Sequence, residues 1–219
     1  MISIEDQQKL LLSVANKLRE NITVYAIGGT AMMFWGYKDF TKDIDLVFTN
    51  ETDRDSFIDA IKSIGYIDIG AGTIYGTRKH QPEMFTLGDE RFDLFLVDVI
   101  DFIFSESMQK RAESTHQFGN NLILKIADPH DIILMKCAAN RAKDADDVRK
   151  ILEKDHINWD IIITEVKNQI KLGKEGSAFC LGEFCEKLKN ELNVNIPIEV
   201  LDVLWGIVVQ QGKERLIRK

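Results

Sequence analysis

Residues 25–48 read YAIGGTAMMFWGYKDFTKDIDLVF. An apolar strand runs into a glycine pair, a short helix follows, and a second apolar strand opens on two aspartates one residue apart. TVYAI (23–27) reads as the first strand, GGTAMMFWG (28–36) as a turn entering a helix that Gly36 ends, and DIDLVF (43–48) as the second strand. Side chains alternate along a strand, so Asp43 and Asp45 share one face while Ile44, Leu46 and Phe48 share the other. Carboxylates that close repel and weaken the fold unless a cation lies between them. A divalent ion held by oxygen ligands, Mg²⁺ or Mn²⁺, meets that need. The plainer alternative is a solvated turn at a strand edge.

The glycine pair has two readings of its own. Gly28 and Gly29 lie between a strand and a helix whose first residues, Thr30 and Ala31, present backbone N–H groups. Such a terminus attracts phosphate, and glycine lets it approach the main chain. A tight connection with no ligand is the other reading. Further along, RFDLFLVDV (91–99) places Phe92, Leu94 and Leu96 on one face and Asp93 on the other, with Phe95 and Val97. An aspartate in so apolar a strand needs a partner. If this strand lies beside DIDLVF, Asp93 joins Asp43 and Asp45 in a three-carboxylate cluster; otherwise it faces outward on an edge strand.

Around this centre the chain divides in two. In the first half, Ser3 and Asp6 form a capping box ahead of a helix carrying Leu10, Leu11, Val14, Ala15 and Leu18. Asn50 and Thr52 cap a helix carrying Phe57, Ile58, Ile61 and Ile64, which Gly65 ends. The glycine-spaced segment 70–99 suggests two or three antiparallel strands, and NNLILKIA (120–127) another strand. Asp128 and Pro129 then open a helix, HDIILMKCAANRA. From Asp144 onward only helical patterns appear: DADDVRKILEKD, WDIIITEVKNQIKLG, SAFCLGEFCEKLKNEL and IPIEVLDVLWGIVVQQG. The expected organisation is an α/β half, residues 1–127, followed by an α-helical half, residues 128–219.

Several function classes recede on composition. At 219 residues with 45% hydrophobic content the chain can bury a sizeable core. No run approaches the roughly 20 apolar residues of a spanning helix, and the amphipathic N-terminus carries no signal-peptide pattern, so the expected setting is cytoplasmic, without a membrane. A net charge of −7 argues against broad attraction to nucleic acid, though a local basic groove is compatible with it. Cys137, Cys180 and Cys185 form no CxxC pair, Cys180 and Cys185 read as small buried residues, and the four histidines show no zinc spacing. The three tryptophans are assigned to packing.

The succession strand, GGT, short helix, TKDIDL and a later strand bearing FDL resembles the nucleotidyltransferase superfamily of the DNA polymerase β type. Residues 128–152, DPHDIILMKCAANRAKDADDVRKIL, are similar to the segment that follows the core in minimal members related to abortive-infection toxins. The resemblance spans about residues 22–152. Gly65–Gly88 carries no family motif, and the helical tail matches no substrate-recognition domain.

The resemblance implies an α/β (α+β) fold, a nucleotidyltransferase-like mixed sheet flanked by helices, with a helical C-terminal domain. It implies Mg²⁺ or Mn²⁺ held by Asp43, Asp45 and Asp93, and transfer of a nucleoside monophosphate from an NTP to an acceptor hydroxyl on transfer RNA, a protein or a small molecule. Gly28, Gly29 and Thr30 would cradle the phosphates. Lys136, on a helix apolar on nearly every side, reaches either solvent or an anion such as phosphate. Lys42 screens the carboxylates, touches a phosphate or is simply solvated. Arg141 contacts nucleotide or fixes the helix junction, and Asp146 and Asp147 sit in the first turn of the next helix. The competing reading is a fold that no longer catalyses and serves as a binding module, or as half of a toxin–antitoxin pair with a small antitoxin partner.

Overall fold

The computed structural model describes residues 1–70 and 80–217. The chain forms two compact units, Met1–Asp128 and Pro129–Lys219, and each is described by itself.

In the first unit a short strand β1 (Ile2–Ser3) leads into α1 (Ile4–Ala15), opened by the expected capping box: the Asp6 amide donates to Ser3 Oγ, and the Asp6 carboxylate accepts from the Ser3 main chain. The chain continues through β2 (Ile22–Ala26), α2 (Gly28–Phe34), β3 (Phe40–Thr41) and β4 (Ile44–Phe48). Asp43 precedes β4 by one residue rather than beginning it. Helix α3 (Glu51–Ser63) is capped by Asn50, whose side chain accepts from the Asp53 amide at 2.8 Å; Thr52 lies inside the helix. Gly65, at φ +104°, turns the chain out of it in a conformation glycine adopts cheaply.

A strand β5 (Ile67–Asp68) comes first, ahead of the segment 70–99; of the antiparallel strands expected in that segment the described residues hold β6 (Glu83–Leu87) and β7 (Glu90–Leu96), and 71–79 lies outside the described residues. Then come β8 (Asp98–Val99), β9 (Phe102–Ile103), α4 (Glu106–Arg111), β10 (Thr115–Phe118) and β11 (Leu122–Ile126). The sequence reading missed α4 and β10. Six residues capped by Ser105 are too few for helical periodicity to register, and THQF is too polar to stand out as a strand.

Among the described residues the main path of the sheet runs β10-β11-β2-β4-β7-β6-β5, with β8 and β9 attached at the end of β7. It is mixed: β11 pairs with β2, and β4 with β7, in parallel, while β2 and β4 are antiparallel. The register sets Ile44 against Phe92, Asp45 against Asp93 and Leu46 against Leu94. Alternation does the rest. Phe48 and Phe92 lie 5.4 and 5.5 Å from the Phe57 ring of α3, and Tyr66 meets Phe92 at 5.1 Å, so the even-numbered side chains of β4 and β7 form the core beneath α3. The odd-numbered ones, Asp45, Arg91 and Asp93, are thereby turned to the opposite face.

The second unit is helical throughout its described residues: α5 (Pro129–Ala139), α6 (Ala142–Lys154), α7 (Trp159–Lys171), α8 (Ser177–Leu192) and α9 (Ile198–Ile217). Pro129 takes the first helical position, where its missing N–H costs nothing. Trp205 donates to Glu186 at 2.9 Å, meets Phe179 edge-on and covers Gly182, where a Cβ would stand 3.2 Å from its ring. Burial pushes the Cys137 thiol up and Cys185 to about 12, so both behave as small hydrophobes. Among the described residues no helix is long and apolar enough to cross a membrane.

Phe92 is fully buried at the centre of the aromatic cluster and fixes the strand that carries Asp93. Phe92→Ala should cost about 3–5 kcal/mol, the range for a large aromatic lost from a packed core, read as a lower midpoint in urea unfolding.

Candidate active site

The centre of the site follows from register and pleat. Asp45 and Asp93 are direct neighbours across the parallel pair, and Asp43 lies one pleat earlier, on the side of Arg91. One carboxylate oxygen from each of Asp43, Asp45 and Asp93 lies within 4.8 Å of the other two. Side-chain exposure is 15% for Asp43 and zero for Asp93, so this is not a solvated acidic patch. A donor set of hard oxygens that close suits Mg²⁺ or Mn²⁺.

Helix α2 is pressed onto this centre. The Gly29 amide donates to Asp45 Oδ2 at 3.3 Å, the Asp45 amide donates to Thr30 Oγ1 at 2.9 Å, and the Ile27 amide donates to the Asp45 carbonyl at 3.1 Å. The anion thus sits at the helix N-terminus, where the free amides and the dipole favour it. A Cβ on Gly28 would meet Asp45 Oδ2 at 2.7 Å, at a φ of +54°, and one on Gly29 would meet Thr41 Oγ1 at 2.6 Å. Gly28 is therefore required by the protein's own carboxylate, and Gly29 by the Thr41 hydroxyl. Thr41 also donates to Asp43 Oδ1 at 3.4 Å.

The partner that Asp93 needs is Arg91, which the sequence reading passed over. Its Nη2 donates to Asp43 Oδ2 and, at 3.2 Å, to Asp93 Oδ2. Its Nε stands 2.8 Å from Asp93 Oδ1, close enough for an ion pair but not aligned as a hydrogen bond. One guanidinium is thus shared by two of the three carboxylates. The signal was present in RFD: residues two apart on a strand share a face.

Of the other residues singled out in the sequence, Gly28, Gly29 and Thr30 gather with the three aspartates, and Lys42 is exposed beside Asp43. Lys136 belongs to the second unit. Its ammonium, 4% exposed, lies 3.0 Å from Asp144 Oδ1 and 2.6 Å from Asp147 Oδ2. The anion it reaches there is a pair of carboxylates. Arg141 forks onto the same Asp144, Nε to Oδ2 at 2.9 Å and Nη2 to Oδ1 at 3.1 Å, which fixes the junction of α5 and α6. Asp147 lies in the second turn of α6 and serves this network; the helix start is served by Asp144, which accepts from the Arg141 amide at 2.9 Å. Burial works against the charged form of Asp144, yet the Arg141 hydrogen bonds and the charges of Lys136 and Arg141 outweigh it and hold the carboxyl below its ordinary 3.8.

Strand, glycine turn, short helix and a carboxylate cluster on adjacent strands define a protein of the nucleotidyltransferase class. The family model described as "Nucleotidyltransferase of unknown function (DUF6036)" matches residues 1–177, and the chain belongs to that family. Among curated proteins none matches it. Among solved structures it is similar to ANT(2")-Ia in complex with adenylyl-2"-tobramycin, at 13% identity and a TM-score of 0.47, over 83% of this chain and 98% of that one.

Two outcomes are expected from this geometry. Gly28→Ala forces a Cβ against Asp45 in a left-handed conformation; it should cost about 1–3 kcal/mol, the range for such backbone strain, seen as a lower melting temperature. Lys136→Met leaves two buried carboxylates without their ammonium and should cost about 3–5 kcal/mol near neutral pH. The sign of the pH effect follows from the lowered carboxyl of Asp144. Its stabilisation is present in full above the unfolded value of 3.8 and fades as pH falls through the lower folded one. The deficit of the variant in urea unfolding should therefore shrink on acidification.

Proposed function

We propose that this protein is a metal-dependent nucleotidyltransferase that moves a nucleoside monophosphate from an NTP to an acceptor hydroxyl. The observation that carries the reading is the convergence of Asp43, Asp45 and Asp93, one oxygen from each within 4.8 Å of the others, beside the N-terminus of α2. Membership of a nucleotidyltransferase family supports it independently.

In this reading Asp43, Asp45 and Asp93 hold Mg²⁺ or Mn²⁺, which when bound supplies positive charge to the attacking oxygen and the departing pyrophosphate. The bond from the acceptor oxygen to the α-phosphorus forms as the bond from that phosphorus to the β-bridging oxygen breaks. In this reading Asp93 takes the proton of the acceptor hydroxyl. Asp45 keeps α2 against the site. The first-turn amides of Gly28 and Thr30 receive phosphate oxygens, the Gly29 amide being held by Asp45 Oδ2, and exposed Lys42 adds positive charge at the rim. Lys136 we assign to the junction of α5 and α6, because its ammonium is already held by two carboxylates.

The acceptor class is open to direct screening. Purified protein with Mg²⁺ or Mn²⁺ and each labelled NTP, offered transfer RNA, protein and small polyols, should transfer label to one of them. Asp43→Asn, Asp45→Asn and Asp93→Asn should each reduce transfer by about 10²-fold or more, as expected when a charge-stabilising group is lost. Transfer that survives all three substitutions, or that persists in EDTA, ends the enzymatic reading. NTP binding without transfer to any acceptor points instead to a binding module.

A further inference from the structure

Among the described residues a cation of the chain itself, Arg91, meets the acid cluster. Arg91 reaches Asp43 with Nη2 and spans both oxygens of Asp93 with Nη2 and Nε. Its side chain is 20% exposed and Asp93 is fully enclosed. A divalent ion bound by one oxygen from each aspartate would therefore draw on two carboxylates that the guanidinium already engages. Two cations do not share such oxygens without cost. At an effective dielectric of about 20, like charges some 4–5 Å apart repel by several kcal/mol.

We infer that Arg91 is a resident counter-cation of the acid cluster, which a divalent ion must displace from Asp43 and Asp93 in order to bind. Arg91 is a positioning residue in this account: it keeps the carboxylates converged while the site is idle and holds its metal affinity down. The inference rests on the metal-dependent reading above, and its test separates the two. The strand makes the arrangement possible. Arg91 and Asp93 are two residues apart on β7, so their side chains leave the same face, and the register brings Asp43 alongside. The fork is also what spans two acids; a lysine ammonium is a single point charge.

The full-length protein would be titrated with Mn²⁺ in the absence of nucleotide, reading free Mn²⁺ by electron paramagnetic resonance, for the native chain, Arg91→Met, Arg91→Lys and Asp43→Asn. Removal of one positive charge next to the ion should tighten Mn²⁺ binding in Arg91→Met by about tenfold or more, with Arg91→Lys between it and native. Thermal unfolding supplies a second readout. Arg91→Met should melt below native in EDTA and recover the difference when Mn²⁺ is added, whereas a merely structural arginine would leave a deficit that the metal does not repair. Mn²⁺ binding no tighter in either Arg91 variant, or a deficit indifferent to Mn²⁺, overturns the inference. If Arg91→Met does not fold, Arg91→Lys decides. Asp43→Asn tells the two failures apart. Unchanged Mn²⁺ binding there, or none by any of the four chains, sinks the metal reading itself, while a loss there with no gain in the Arg91 variants sinks only the role of Arg91.

Discussion

Like charges forced together are the constraint around which the first unit is arranged. Three carboxylates meet on one face of a sheet whose other face is packed with aromatic rings, and charges in that position persist only when opposite charge or oriented dipoles compensate them. The protein supplies both. Arg91 sits between Asp43 and Asp93, and the N-terminus of α2 points its amides at Asp45. The two devices differ in what they permit. The helix terminus is built from backbone and stays in place, whereas an arginine side chain can move.

The glycine pair takes its meaning from the same constraint. Asp45 bonds through its carboxylate, amide and carbonyl to Gly29, Thr30 and Ile27, so strand and helix are clamped on a contact too close for a Cβ. Within that clamp the Gly29 amide is spent on the Asp45 carboxylate and the Thr30 hydroxyl on the Asp45 amide.

A second charged knot, in the helical unit, shows how residue type alone can mislead about role. A lysine inside an apolar helix reads from sequence as a seeker of solvent or phosphate. Lys136 finds instead Asp144 and Asp147, eight and eleven residues ahead, because the turn at Arg141 folds α6 back beside α5. The carboxylates that satisfy it were visible in the sequence, but only the turn decided that they would face it.

Much of the fold was legible in single stretches. Periodicity and capping residues located α1, α2, α3 and the helices of the second unit, and alternation in DIDLVF and RFDLFLV identified the strands that bear the acids. Those signals are local: they depend on residues three or four apart along a helix or two apart along a strand. The short pieces, α4 and β10, left no such trace. The sequence by itself determined that Asp43 and Asp45 share a face and that Asp93 stands out of an apolar strand. Only the tertiary structure decided that β4 and β7 are parallel neighbours in the register that sets Asp45 against Asp93, and that Arg91 closes on the cluster. Strand pairing is chosen by the packing of whole faces against α3, an energy summed over residues far apart in the chain, and no single stretch contains it.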